Sequence, residues 1–216
     1  MASTTRRASA GADRRAVVEA QILAATERLL AAGESFTELG VQRLAAEAGV
    51  ARSTFYLHFR DKTELLLKLT ATLVGPALAL IGAAPPEAGR EGMVQAMDEV
   101  IRYYRERRHL LAAVLEVTAY DPGVRAMWEA ELQLFTDQAA EWLRVEQAAG
   151  RTAPDLEPAT ASRVFVWGGI QVIANQVLTG DPAQDAAVAR EIASLQWYGS
   201  FRRPAEDRPV TPAGPP

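Results

Sequence analysis

A short segment near the N-terminus of the sequence carries side chains that suit hydrogen bonding to nucleic acid. Arg52 can donate two parallel hydrogen bonds to the acceptor edge of guanine in the major groove, and Ser53 beside it can bond several bases. Hydroxyl, imidazole and ammonium groups nearby suit phosphate oxygens, which position a protein on DNA without specifying its sequence. For Tyr56 and His58, a purely structural role is the alternative. The residues predicted to contact DNA are Gln42, Arg43, Arg52, Ser53, Thr54, Tyr56, His58 and Lys62.

The same inventory of side chains offers little material for catalysis. The chain has two histidines, His58 and His109, and no cysteine, so disulfides and thiolate chemistry are excluded. The sequence has no Gly-x-Ser-x-Gly elbow, no phosphate-binding glycine loop and no cluster of histidines or carboxylates at metal-ligand spacing. We therefore predict no catalytic residue, no metal site and no cofactor. An enzyme that uses a pair of the scattered carboxylates is the alternative.

Two short helical patterns meet at a glycine around the candidate DNA contacts. In the first pattern the apolar residues recur at spacings of three and four, as on the buried face of a helix. These residues are Val41, Leu44, Ala45 and Ala48. Gly49 can take a positive φ at the turn, and Val50 can pack inward and set the angle between the helices. The second helix, over about residues 52–59, buries Phe55 and Phe59. The pattern predicts a helix-turn-helix, although the end of an alanine-rich helix with aromatic core residues remains the alternative.

The helix-turn-helix pattern resembles the DNA-binding signature of the TetR family of transcriptional regulators. The resemblance is carried by Ala48-Gly49-Val50, Thr54-Phe55-Tyr56-Leu57-His58-Phe59 and Asp61-Lys62. It covers residues from about 14 to 68, and the rest of the chain resembles the family in its helical layout. The final motif, Trp197–Phe201, is also similar to the mycobacterial ethionamide-monooxygenase repressor type within this family. The resemblance implies a regulator, most simply a repressor, that binds a palindromic operator as a dimer and is released by a small lipophilic effector.

Composition and charge agree with a globular protein that contacts DNA locally. The 216 residues are 49% apolar and 23% charged, and the formal net charge is −4. Through Lys68 there are ten basic and eight acidic side chains, against thirteen and nineteen in the remainder. A mildly basic N-terminal part on an acidic body favours local contact with phosphates over general coating of nucleic acid. From the sequence we expect no apolar run long enough for a bilayer span and no signal peptide, so we predict a cytoplasmic protein.

The remaining patterns predict an all-α protein in four parts. Residues 1–13 are expected to form a disordered basic arm, 14–60 the helix-turn-helix domain, 61–203 a ligand-binding and dimerisation domain, and 204–216 a flexible tail. About nine helices are predicted, at roughly 13–32, 41–48, 52–59, from 61 onward, 91–107, 109–120, 124–149, 158–179 and 184–199. Asp61 is expected to cap the fourth helix, with Glu64 completing a capping box, and Pro76 to kink or end it.

The last two predicted helices are apolar on more than one face, so they are either central in their own subunit or shared with a partner subunit. Core packing is the alternative for each residue, and a dimer is preferred for the whole set. Gly168-Gly169 would let two backbones approach, and an apolar patch would remain exposed on a monomer. The patch consists of Leu195, Trp197, Tyr198 and Phe201. In the TetR family these helices pair across a two-fold axis, and the resemblance therefore implies a homodimer.

The family resemblance also implies a ligand cavity within helices four to eight. Aromatic and apolar stripes would form its wall, and a few polar groups would orient the ligand. The predicted lining residues are Met97, Tyr104, Trp128, Leu132, Phe135, Trp142, Trp167, Ile170, Gln171 and Asn175. Ordinary core packing is the alternative for each of them. A DNA-binding regulator without an inducer, and a helical protein or enzyme that binds lipophilic compounds, are the alternative functions.

Overall fold

The computed structural model describes residues 3–205, with side chains from Arg14 onward. Within that range the chain forms nine α-helices and no β-strand. The helices are α1 Ser3–Ala31, α2 Val41–Glu47, α3 Arg52–His58, α4 Lys62–Gly82, α5 Gly89–Glu106, α6 Arg108–Thr118, α7 Pro122–Ala148, α8 Pro158–Thr179 and α9 Asp185–Gln196. Short 3₁₀ turns lie at Pro86–Ala88 and Pro182–Gln184, and a π-helical turn, Trp197–Phe201, follows α9. The all-α fold predicted from the sequence is confirmed.

Helix α1 begins at Ser3, whereas the sequence pattern predicted a helix start near Asp13 after a disordered arm. The backbone from Ser3 to Asp13 is helical, and Met1 and Ala2 lie outside the described residues. Alanine and arginine recur in this stretch and have high helix propensity, and no proline interrupts it. The apolar periodicity that marked Asp13 begins later in the sequence than the helix does, so it missed the earlier turns. Most of the predicted tail, 206–216, also lies outside the described residues.

The start of α4 differs in detail from the predicted capping box. The Asp61 carboxylate accepts a hydrogen bond from the Glu64 amide at 2.9 Å, as predicted. The Glu64 carboxylate, however, accepts from the amide of Arg60 at 2.6 Å and not from that of Asp61. The Glu64 amide lowers the pKa of Asp61, because the bond stabilises the ionised carboxylate. Farther on, α4 continues past Pro76 to Gly82, so the proline does not end the helix.

Helix α4 has the length and hydropathy of a membrane span, with a mean hydropathy of 1.8, contrary to the expectation from the sequence. Seven of its side chains are nevertheless buried within the protein: Leu65, Leu66, Leu69, Thr70, Leu73, Val74 and Ala77. A helix that buries its apolar side chains against other helices has the character of a core helix. We interpret α4 as part of the protein core.

The chain divides into two compact units. The first contains the chain up to Ala77 together with Tyr104–Glu131, and the second contains Leu78–Tyr103 with the chain from Leu132 onward. The division falls inside α4, whereas the predicted domain boundary lies just before it. The first half of α4 is tied into the first unit by polar contacts of Lys62 with the α1–α2 loop and by an ion pair between Lys68 and Glu19 of α1.

The core of the first unit is formed by apolar side chains of its helices. Fully buried members include Ile22, Leu44, Phe55, Leu65, Leu69 and Leu111. Helix α1 contacts α2, α3 and α6, and α2 contacts α3. The helix-turn-helix is therefore built on α1, and the burial of Ile22 and Leu29 on one face of α1 explains why this helix can support it.

The second unit contains a buried carboxylate that holds the segment after α9. The Glu146 side chain is 2% exposed, and its two oxygens accept hydrogen bonds from Arg151 at 2.6 and 2.8 Å. Arg202 also donates to Glu146 and stacks over Trp197, 4.3 Å from the ring centroid. The bonds from Arg151, followed by those from Arg202, lower the pKa of Glu146 although its burial opposes ionisation. This ion cluster anchors the π-helical turn to the C-terminal end of α7.

Candidate nucleic-acid interface

The turn between α2 and α3 is set by Gly49, whose φ is +69°. The Gly49 amide donates to the carbonyl of Ala46 at 3.1 Å, and the Val50 amide donates to that of Ala45 at 3.0 Å. This pair of bonds satisfies the last carbonyls of α2 and needs a left-handed residue at its centre, a conformation that glycine adopts without a Cβ clash. The glycine thus ends α2 and directs the chain into α3, as the sequence pattern predicted.

Helix α3 is held in place by two buried phenylalanines. Phe55 and Phe59 are 0% and 2% exposed, and their ring centroids lie 5.5 Å apart. Phe55 also meets Tyr56 edge to face, with centroids 5.6 Å apart. Burial of Phe55 within the seven-residue helix, and of Phe59 directly after it, fixes which side of the helix remains outward.

The outward side of α3 presents donors for hydrogen bonds. Arg52, Ser53 and Tyr56 are exposed, and the Arg52 guanidinium carbon lies 5.7 Å from the centroid of the Tyr56 ring. The ring can orient the guanidinium by a cation–π interaction while leaving its N–H groups outward. Gln42 at the start of α2 is exposed as well. These four predicted DNA contacts are available to a partner in the described structure.

Arg43, in contrast, is engaged in a network of ion pairs. Its guanidinium donates to Glu34 at 2.9 Å and to Glu47 at 3.1 Å. Arg28 also bonds Glu47, at 3.2 Å, and this bond is the main cause that lowers the pKa of Glu47. The hydrogen bond to Glu34 is the main cause that raises the pKa of Arg43. A phosphate contact by Arg43 would therefore compete with two carboxylates.

Lys62 is engaged too, by backbone carbonyls of the loop between α1 and α2. Its ammonium donates to the carbonyls of Thr37 at 2.6 Å, Phe36 at 3.2 Å and Leu39 at 3.4 Å. It also lies 5.5 Å from the centroid of the Phe36 ring. These contacts use the three donors of an ammonium group. In this geometry Lys62 positions the loop before α2, and a contact with phosphate would require it to leave these carbonyls.

The other side of the same loop is tied to α6. Glu116 accepts hydrogen bonds from the hydroxyls of Ser35, at 3.2 Å, and Thr37. The Thr37 hydroxyl also lies within 2.8 Å of the Tyr120 hydroxyl. The residues joined by these contacts are 79 to 83 positions apart in the sequence. Sequence patterns therefore carry no sign of them.

Thr54 and His58 are half-buried, and His58 does not present its whole imidazole outward. Its Nδ1 is buried and has no hydrogen-bond partner among the described residues.

Arg15 of α1 donates to the carbonyl of Leu57 at 3.2 Å, which caps the last turn of α3. The sequence did not predict a role for Arg15 or for Leu57, although Leu57 falls opposite the phenylalanines in the helical period.

Helices α8 and α9 border an open apolar groove of about 670 Å³ in the second unit. Val164, Val172 and Leu195 line this groove with exposed side chains. No atom approaches within 4 Å of the place where a Cβ would stand on Gly168.

Within the predicted patch, Leu195 and Tyr198 are exposed, Trp197 is half-buried and Phe201 is buried. Phe201 faces inward because the π-helical turn rotates it onto Phe165, with ring centroids 5.9 Å apart.

An apolar cavity of about 10 Å³ lies in the second unit. Met97, Phe135 and Trp142, three predicted lining residues, border it, and the two rings meet edge to face at 6.3 Å. Phe165 and Gln196 border it as well, although the sequence did not single them out for this role. This volume accommodates about one water molecule.

The other predicted lining residues do not border this cavity. Buried elsewhere are Tyr104, Trp128, Leu132 and Ile170, of which the first two belong to the first unit. Trp167 is half-buried, and Gln171 and Asn175 are exposed. An apolar stripe identifies the buried face of a helix, but it does not identify which neighbouring element fills the space in front of that face.

Comparison with known proteins places this arrangement in a family. The profile described as "Bacterial regulatory proteins, tetR family" matches residues 22–69, and that described as "Transcriptional regulator EthR, C-terminal domain" matches residues 93–192. The regulator EthR of Mycolicibacterium smegmatis is 30% identical to this chain over 148 residues. The match covers 65% of this chain and 65% of EthR, which is just under two thirds of that relative. The repressor LfrR of the same organism is 30% identical over 159 residues, 73% of this chain and 75% of LfrR.

Solved structures show the same fold. FadR from Bacillus halodurans superimposes with a TM-score of 0.70 at 21% identity, over 86% of this chain and 97% of FadR. FadR from Bacillus subtilis, solved in complex with stearoyl-CoA, superimposes with a TM-score of 0.66 at 19% identity, over 81% of this chain and 95% of that one. The helix pair around the Gly49 turn, with its exposed hydrogen-bond donors on α3, agrees with the profile match and with the match to LfrR. Together they show that the chain belongs to the TetR family of DNA-binding transcriptional regulators.

Proposed function

We propose that this regulator is a repressor, which binds a palindromic operator as a homodimer and is released by a small lipophilic effector. The observation that carries the DNA-binding part is the outward side of α3, where Arg52, Ser53 and Tyr56 stand exposed on a helix anchored by Phe55 and Phe59. A planar guanidinium at this place matches the O6 and N7 acceptors of guanine. This function implies a cytoplasmic protein with access to the chromosome.

The proposed contacts divide into two kinds. Arg52 and Ser53 contact bases, with Gln42 as a second reader, and the hydroxyls of Thr54 and Tyr56 contact phosphates. Arg43 and Lys62 were expected to contact DNA, but both already bond protein acceptors, so we propose that they position α2 and the loop before it. His58 remains a proposed phosphate contact, because its imidazole is only half-buried.

A single helix-turn-helix makes few contacts, and this supports a dimer. Useful affinity for a specific site generally needs two recognition helices on a two-fold site. The groove of α8 and α9 is the proposed dimer surface, because it exposes Val164, Val172 and Leu195 together. Contiguous apolar surface of this kind favours association with a complementary copy.

The effector part of the proposal requires the apolar cavity to open. A volume of about 10 Å³ holds no lipophilic molecule, so an effector must displace Phe135, Trp142 or their neighbours. The FadR fold accommodates stearoyl-CoA in Bacillus subtilis, which supports a lipophilic effector for a fold of this kind. If effector and DNA oppose each other, each must weaken the binding of the other by the same factor. Effectors that raise the melting temperature should then release DNA in the same rank order.

The small cavity also favours a second candidate function. In it, the protein is a DNA-binding regulator whose cavity is filled by its own side chains, and no small molecule releases it. Native mass spectrometry of protein purified from a bacterial host separates the two. A retained lipophilic mass supports the effector, whereas bare protein that binds its operator and ignores a lipophile library supports the second function.

The test of DNA binding is selection of sites from random duplex DNA at near-physiological salt. Wild-type protein should recover a palindrome, and an Arg52→Ala, Tyr56→Ala double variant should recover none. Leu134→Ala provides a control for an exposed side chain truncated elsewhere, because Leu134 is an exposed residue of α7 outside α3. Single variants sharpen the assignment, since Arg52→Ala should relax the preference at one base pair and Thr54→Ala should weaken all sequences alike. Recovery of no site by the wild type at any salt concentration would contradict the proposal.

A further inference from the structure

Leu57 is a large aliphatic side chain that α3 leaves in solvent. It is 72% exposed, whereas the phenylalanines on either side of it in the sequence are buried. Single exposed leucines are common on protein surfaces, so exposure alone carries no argument. The position of Leu57 on the helix does carry one, because successive residues of an α-helix turn by about 100°.

The exposed residues of α3 occupy one continuous arc. At about 100° per residue, Arg52, Tyr56, Ser53 and Leu57 fall in that order within about 140°. Phe55 lies about 160° from Leu57, on the side that packs against the unit. Leu57 therefore shares the surface of the three side chains that are proposed to meet DNA, and its exposed neighbours on α3 are hydrogen-bond donors.

The orientation of Leu57 is supported from both sides. Arg15 donates to its backbone carbonyl at 3.2 Å, and the Phe59 amide closes the helix on the carbonyl of Phe55 at 2.9 Å. The buried rings of Phe55 and Phe59 fix the rotation of the helix about its axis. The backbone of Leu57 is therefore fixed relative to Arg52, Ser53 and Tyr56, so its side chain projects from the surface that these three side chains share.

The major groove offers one apolar group for such a side chain. Thymine carries a 5-methyl group there, and the other base edges present hydrogen-bond donors and acceptors. Covering a polar edge with leucine would leave that edge without its water, whereas covering a methyl group removes apolar surface from both partners.

We propose that Leu57 is a specificity-determining residue, whose side chain covers the 5-methyl group of one thymine in each operator half-site. The inference rests on the proposed function, since it needs a sequence-specific operator. It adds an apolar reader to the polar readers Arg52 and Ser53. The operator should accordingly contain a conserved thymine at the edge of the segment that Ser53 contacts.

The test is a scan of the selected operator in which each thymine is replaced by uracil, which lacks only the methyl group. With wild-type protein, one symmetric pair of thymines should be sensitive, with a loss of about fourfold in affinity for each methyl removed. Leu57→Ala should bind the thymine operator more weakly and should respond to uracil at this position by less than about 1.5-fold. Thymine and uracil form the same base pair, so the comparison isolates the methyl group.

Two controls keep the result interpretable. Leu134→Ala removes a leucine of α7 that is 65% exposed and should retain the full response to uracil. The melting temperature of Leu57→Ala should match that of the wild type, because the side chain buries little in the free protein. If wild type and Leu57→Ala respond equally to uracil at every position, the inference is overturned while the proposed function stands. If no operator can be selected, both are overturned.

Discussion

The outward side of α3 and the groove of α8 and α9 are both exposed to solvent, and apart from Leu57 on α3 they expose opposite kinds of side chain. The α3 surface presents Arg52, Ser53 and Tyr56, all with hydrogen-bond donors. The α8–α9 groove presents Val164, Val172 and Leu195, which have none. A donor-rich surface suits a partner with many acceptors, and an aliphatic surface suits a partner that is itself aliphatic.

The difference agrees with the two partners proposed for a chain of net charge −4, which are DNA and a second copy of the chain. The α3 surface is small and depends on local donors, so the global charge matters little for it. The α8–α9 surface depends on area and shape, and charge there would oppose association. Four substitutions test this contrast, in descending order of expected effect.

The support of the α3 surface can be removed with Phe55→Ala. Because Phe55 is 0% exposed and contacts the rings of Tyr56 and Phe59, the variant should lose about 3–5 kcal/mol of the free energy of unfolding. Urea denaturation followed by far-UV circular dichroism measures the loss. Leu57→Ala, which removes an exposed side chain two residues away, should stay within about 0.5 kcal/mol of the wild type. Equal losses in the two variants would contradict the structure of α3.

The aliphatic surface can be disrupted with Leu195→Asp. Two copies of the variant would bring like charges into an apolar contact, so the dimer dissociation constant should rise about a hundredfold. Sedimentation velocity over a range of concentrations measures this change. The matched control is Leu134→Asp, since Leu134 is 65% exposed and Leu195 is 73% exposed. If both variants dissociate alike, the dimer uses another surface.

The anchor behind the α8–α9 surface can be tested with Glu146→Gln. Loss of the charge weakens the bonds from Arg151 and Arg202, and the free energy of unfolding should fall by about 2 kcal/mol. The folded pKa of Glu146 is lowered, so its contribution is present above the ordinary carboxyl pKa of about 4.3 and is lost as the pH falls through the folded value.

Thermal melts between pH 3 and pH 7 check this sign. The wild type should melt higher than Glu146→Gln by a constant interval near neutral pH, and the interval should close in acid. Glu141→Gln is the control, because Glu141 pairs with Arg144 on the surface, where such pairs contribute little. An interval that widens in acid would contradict the lowered pKa.

The smallest effect is expected for Arg43→Ala. This variant tests whether a basic residue that lies near the α3 surface also contacts DNA. Arg43 is bound to Glu34 and Glu47, so its removal should weaken operator binding by less than about threefold. Arg52→Ala should weaken it about tenfold or more. Fluorescence anisotropy with the selected operator measures both constants. A larger loss for Arg43→Ala would show that the ion pairs open on DNA.

Local patterns were sufficient for the elements that depend on nearby residues. The glycine turn, α3 and the bounds of α8 follow from periodicity, caps and propensity, and the structure agrees with them. The family signature rests on the same local segment. The start of α1 was missed because the sequence of its first turns has helix propensity but no apolar periodicity.

What local patterns left open is which groups lie within reach of a side chain in the folded protein. Lys62 and Arg43 have the residue type of a phosphate contact, yet they bond to protein groups 4 to 26 positions away. Five of the ten predicted cavity residues are buried, and the three that border a common cavity, Met97, Phe135 and Trp142, leave a space of only about 10 Å³. A long charged side chain can bond either protein or DNA, and sequence alone does not decide which acceptor is within reach.

The sequence by itself determined the family, the all-α fold and the α3 signature, because helix periodicity and a glycine at positive φ are encoded within a few neighbouring residues. Only the tertiary structure decided which of the basic residues remain available, that Leu57 stands beside Arg52, Ser53 and Tyr56 in solvent, and that Phe201 turns inward while Leu195 does not. Availability is a property of the space around a side chain, and that space is filled by residues from distant parts of the chain.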